Sequence, residues 1–155
     1  MLNAILVDDE ASNLSSLTGK LHRNCPQVEI IACCENAQNA IDAIDSLKPD
    51  LVFLDIEMPV MNGFSMLQQL TYKKFELIFT TAYDHYAIKA IRFSALDYLL
   101  KPIEIEDLKL AVGRAEEKKT SISSNNQLEL LLEILVLGKI ATSVSPFQQP
   151  RVCNL

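Results

Sequence analysis

The chain has 155 residues, 49% of them hydrophobic, and a formal net charge of −6 at pH 7. That length suits one domain with a tail, and the apolar content excludes a compositionally disordered protein. The acidic balance argues against a nucleic-acid surface here, because phosphate binding needs clustered Lys and Arg.

The opening MLNAILVDDE runs straight into acidic residues and does not read as a secretory leader. Within it, Ala4 to Val7 is a short apolar run, and Leu14, Leu17 and Leu21 then recur at helical spacing. Val28 to Cys34 is a second run, followed by Ala37, Ala40, Ile41, Ile44 and Leu47 on one helical face. Leu51 to Leu54 is the third strand candidate, and Phe64 to Leu70 reads as a short helix after the Asn62-Gly63 turn. Glu76 to Thr81 is the fourth strand, with a helix from about Asp84, as N-cap, to Phe93. Asp97 to Leu100 is the fifth, stopped by Lys101-Pro102, and Ile105, Leu108, Val112 and Ala115 mark a last helix.

Cys25, Cys33, Cys34 and Cys153 form no CxxC pair, and with only His22 and His85 beside them they suggest neither a zinc site nor a disulfide framework. The apolar segment Leu128 to Leu137 is too short to span a bilayer and carries Glu129 and Glu133. A cytoplasmic protein without membrane attachment is expected.

Strands alternating with helices predict an α/β fold, a doubly wound five-stranded parallel sheet. In such sheets ligands bind beyond the carboxyl ends of the strands, where strand order reverses. Asp8 and Asp9 follow the first run, Asp55 the third, Thr80 and Thr81 close the fourth, and Lys101 follows the fifth. Singly, these are ordinary capping, turn and strand residues. Together they crowd charge. Two carboxylates about 5 Å apart repel by roughly 3 kcal/mol at an effective dielectric near 20. One lysine offsets only part of that, and a dense set of hard oxygen ligands suits Mg²⁺ or Mn²⁺. A carboxylate can accept a phosphoryl group, and a hydroxyl and an ammonium can hold its oxygens. No glycine-rich phosphate cradle is present, so the phosphoryl donor is expected to come from outside.

Asp8-Asp9, Asp55 in LDIEMPVMNG, Thr81-Ala82, Tyr98 and Lys101-Pro102 resemble, in order and spacing, the receiver domain of two-component response regulators. The resemblance spans residues 1–118 and implies a flavodoxin-like, CheY-like (βα)5 fold. It implies Asp55 as phosphoacceptor and Asp8, Asp9, Asp55 and the backbone carbonyl of Glu57 as metal ligands. Thr81, Lys101 and Tyr98 would be the switch and phosphoryl-contacting residues, and Pro102 would follow a cis peptide. Tyr83 and Tyr86 read as surface or core aromatics. A sensor histidine kinase is the implied partner, with a homodimer forming on phosphorylation and no turnover of external substrates.

TTAYDHYAIKAIRFSALDYLLKPI, Thr80 to Ile103, is similar to receivers of the LytR/AlgR type, which carry a LytTR DNA-binding domain and regulate transcription. DNA contact would then run through an effector domain absent from this chain. Residues 119–155 read as a polar linker and a truncated or altered tail, in preference to a dimerising helix or the opening of an effector domain. Two other functions compete. A haloacid dehalogenase-type phosphatase also uses an aspartate and Mg²⁺, but places Asp-x-Asp on its first strand, whereas Asp55 follows the third and is followed two residues later by Glu57. The other is a docking module that takes no phosphoryl group.

Overall fold

A computed structural model describes residues 1–120 of the chain. The chain divides into two compact units, Met1–Glu117 and Lys118–Leu155. In the second, residues 118–120 are helical, and the linker and tail read from the sequence lie outside the described residues.

In the first unit, β1 (Leu2–Val7), β2 (Val28–Cys34), β3 (Leu51–Asp55), β4 (Glu76–Thr81) and β5 (Asp97–Leu100) pair in parallel in the order β2-β1-β3-β4-β5. Helices α1 (Ala11–Asn24), α2 (Ala37–Leu47), α3 (Gly63–Gln68) and α4 (Ala87–Arg92) connect them, and a last helix, α5, covers residues 105–117. This is the expected α/β architecture of a CheY-like receiver, with the order reversing between β1 and β3.

Strand residues alternate between two cores, as the period of two requires. Ile5, Val7, Val52, Leu54, Leu77 and Phe79 face α2, α3 and α4. Leu2, Ala4, Leu6, Leu51, Phe53, Ile78 and Leu99 face α1 and α5. Both faces of the sheet are covered, which is why the strands are so continuously apolar.

Three local readings change. Leu47 is half exposed, because α2 ends there and Lys48 turns into the left-handed region at φ 48°. Asp84 does not cap α4: Tyr86 stands at the N-cap without a side-chain capping bond, and the helix is only six residues long. Ile105 lies at the exposed start of α5, whereas Leu108, Val112 and Ala115 are buried.

The β3–α3 connection is tight. Asn62 caps α3 by accepting from the Ser65 N–H at 2.9 Å. The Gly63 N–H donates to the Ile56 carbonyl at 2.9 Å, which draws the helix start onto the strand end. A Cβ at Gly63 would lie 2.7 Å from the Asp55 carbonyl oxygen. Gly63→Ala is therefore expected to destabilise the fold by about 1–3 kcal/mol, as overpacking does, measured by urea unfolding.

Candidate functional site

Asp55 is the last residue of β3 and Asp8 the first after β1, so adjacent parallel strands deliver both carboxylates to the same edge. Asp8 and Asp55 are buried, at 5% and 4% exposure, and Asp9 is partly exposed. Carboxylate oxygens of Asp8, Asp9 and Asp55 all lie within 4.8 Å of one another. Lys101, just past β5, puts its Nζ 2.6 Å from Asp8 Oδ2 and 3.4 Å from Asp55 Oδ2. The Lys101–Pro102 peptide bond is cis.

Asp8 is held by its surroundings as well. Its Oδ1 accepts from the Glu10 N–H at 3.0 Å and from Asn13 Nδ2 at 3.3 Å. Opposite it, Lys20 Nζ donates to the Ile103 carbonyl at 2.8 Å and ties α1 to the segment after Lys101. Thr80 and Thr81 are both buried, and successive strand residues point to opposite faces. Thr80 lines a small cavity of about 120 Å³ with Asp8 and Lys101. The Thr81 hydroxyl accepts from the Tyr83 N–H at 3.2 Å.

The electrostatics follow from burial and crowding. Burial pushes the Asp55 carboxyl up to about 6; Lys101 pulls against this, and the Asp8 and Asp9 charges add to it. For Lys101, burial favours the neutral amine, but the bond to Asp8 and the charges of Asp55 and Asp8 outweigh it and hold the group above its ordinary value. One ammonium thus faces three carboxylates. An all-oxygen donor set with surplus negative charge fits a hard divalent cation such as Mg²⁺, which would supply charge neutralisation for a transferring phosphoryl group.

Two contacts were not anticipated from sequence. The Tyr86 hydroxyl donates to Glu57 Oε2, and that bond, more than burial, pushes the phenol up to about 12. The Tyr98 hydroxyl donates to the Tyr83 carbonyl, so the β4–α4 connection is pinned from β5. Both contacts join distant segments, and neither leaves a local pattern. On the far side of β5, a groove of about 590 Å³ runs along Tyr98, Leu100 and Lys101 to Leu110 and Arg114 of α5.

The response regulator receiver domain profile matches residues 4–113. The chain belongs to that family. A receiver is a signalling domain rather than an enzyme in the usual sense. A response regulatory protein of Vibrio cholerae is 41% identical over 133 residues, covering 84% of this chain and 56% of that protein. The transcriptional regulatory protein BtsR of Escherichia coli K12 is 37% identical over 121 residues, covering 77% of this chain and 50% of BtsR. The chain thus spans about half the length of the curated relatives it matches. Among solved structures, the receiver domain of AraT, a response regulator from Geobacillus stearothermophilus, superimposes with a TM-score of 0.68 at 27% identity, covering 77% of this chain and 97% of that one. Among the described residues, no helix is long and apolar enough to cross a membrane.

The raised Asp55 carboxyl has a pH signature. Between its ordinary value of 3.8 and about 6 the folded state holds the proton more tightly than the unfolded chain, so stability from the neutral form is lost as pH rises. Without divalent cations, Asp55→Asn is expected to be more stable than wild type at pH 7 by about 1–3 kcal/mol. The gap should open between pH 4 and 6 and level off above, in urea unfolding with chelator present.

Proposed function

We propose that the receiver accepts a phosphoryl group on Asp55 from a sensor histidine kinase and passes the event on as a change in self-association. The observation that carries this reading is the convergence of three carboxylates and one lysine at the carboxyl edge of the sheet. Asp8, Asp9, Asp55 and the Glu57 backbone carbonyl would hold Mg²⁺ or Mn²⁺. Asp55, at the strand end, is the nucleophile: it attacks phosphorus, and the donor's leaving group departs. Lys101, already 3.4 Å from Asp55, is placed to meet the incoming oxygens.

In this reading Thr81 is the switch hydroxyl, and Tyr98 follows it through Tyr83. Moving a two-state equilibrium from 1:99 to 99:1 needs about 5.5 kcal/mol of differential binding. A hydrogen bond to a charged group contributes about 1.5–3 kcal/mol, so Thr81 and Lys101 must act together with the metal. The output face is that of α4, β5 and α5, where Ile88, Ile91, Leu100 and Leu110 are exposed. In the full-length protein, a LytTR DNA-binding domain would carry the signal to transcription. The similarity of residues 80–103 to LytR/AlgR receivers supports this, as does the 37% identity to the transcriptional regulatory protein BtsR.

With acetyl phosphate and Mg²⁺, wild type is expected to take up one phosphoryl group and Asp55→Asn none, read by phosphate-affinity electrophoresis. Uptake by Asp55→Asn at the wild-type level overturns the assignment. Thr81→Ala should still be phosphorylated but lose the accompanying shift in dimerisation, measured by sedimentation. A preserved shift removes Thr81 from the switch.

A further inference from the structure

Two connections flank Asp55, one after β3 and one after β4, and the Glu57–Tyr86 pair joins them. The Tyr86 ring is held on several sides. It packs edge-on against Phe64 at 5.8 Å, lies 4.2 Å from the His85 ring, and meets Tyr83 at 6.3 Å and 89°. Its hydroxyl therefore has a fixed place, and the ring contacts alone would be served equally by phenylalanine. Glu57 stands two residues beyond Asp55 and is exposed. The charges bearing on Asp55 are those of Lys101, Asp8 and Asp9, while the Glu57 carboxylate is turned to Tyr86.

We propose that Tyr86 is a positioning residue for phosphoryl uptake: its hydroxyl holds the Glu57 carboxylate toward α4, clear of the approach to Asp55. This rests on the reading of Asp55 as phosphoacceptor. In the uptake step an Asp55 carboxylate oxygen bonds to the phosphorus of acetyl phosphate. The bond from phosphorus to the acetyl oxygen breaks, and acetate leaves with the electron pair. The donor arrives as an anion into a site already rich in carboxylates. A Glu57 side chain released from Tyr86 adds one more negative charge along that approach, and like charges a few ångströms apart repel by an amount that salt screens.

The test is a double-mutant cycle on uptake from acetyl phosphate with saturating Mg²⁺. At donor concentrations well below half-saturation and low ionic strength, Tyr86→Phe is expected to slow uptake by about three- to tenfold. The loss should lie in the donor concentration for half-maximal rate rather than in the maximal rate, and should shrink as salt is raised. With Glu57→Gln as the starting protein, adding Tyr86→Phe should change the rate by less than about twofold. Equal slowing in both backgrounds would reduce Tyr86 to a packing role and overturn the proposal. So would an unchanged rate in Tyr86→Phe while wild type is phosphorylated on Asp55. Uptake by Asp55→Asn at the wild-type level would instead sink the phosphoacceptor reading itself, so the two failures are told apart.

Discussion

The structure turns on a charge imbalance. Asp8, Asp9 and Asp55 are gathered within a few ångströms, two of them buried, and Lys101 is the ammonium set against them. Burial first, and then the neighbouring Asp8 and Asp9 charges, raise the cost of ionising Asp55 against the pull of Lys101, and its carboxyl is held above the ordinary value. The chain nevertheless builds the carboxylate cluster from the ends of two neighbouring strands, β1 and β3, and sets Lys101 against it from just past β5. That arrangement makes sense where something positive, and then something phosphorylated, is to be received. The chain belongs to the response regulator receiver domain family.

The imbalance exists only because the sheet is parallel. All five strands run the same way, so their carboxyl ends share one edge, and β1 and β3 lie side by side there. The backbone around Asp55 is correspondingly constrained. Gly63 brings α3 against the strand end, and the Met61 N–H closes on the Pro59 carbonyl at 2.7 Å, with Val60 between them at φ 69°. A β-branched residue at positive φ is strained. The loop tolerates this because both sides are fixed, by Asn62 capping and by the buried Ile56 and Met58.

Much of this was legible in the sequence, for identifiable reasons. Strands β2, β4 and β5 begin and end where the runs read from the sequence do, because the apolar residues that dominate them outweigh the few polar positions, Glu29 in β2, Glu76 in β4 and Asp97 in β5. Strand β1 begins earlier than its run because Asn3 is exposed and breaks the apolar pattern. The gathering of Asp8, Asp9, Asp55 and Lys101 followed from topology, since strand ends in this fold have a known side. Helix α4 starts later than its sequence suggests: Asp84 is a favoured capping residue, yet the turn from Thr81 continues to Tyr86. The Glu57–Tyr86 and Tyr98–Tyr83 bonds were invisible: each joins side chains and loops whose distance no periodicity encodes.

The two cores beneath the site differ in kind. On the α1 and α5 side, among the described residues, only Ile30 and Leu96 are partly buried members, and the rest is closed aliphatic packing around Phe53. On the side of α2, α3 and α4 the margin mixes half-buried rings, Tyr72, Phe75, Tyr86, Phe93 and Tyr98, with aliphatic residues such as Ile31 and Met61. A ring at a solvent boundary can swing without opening a void, whereas an aliphatic interior cannot rearrange without losing contacts. The sheet is thus backed by closed aliphatic packing on one side and by a ring-bearing margin on the other, where Tyr86 and Tyr98 stay in place through their hydroxyl bonds to Glu57 and to the Tyr83 carbonyl. A residue lost from the first side costs packing, whereas a hydroxyl lost from the second frees a ring.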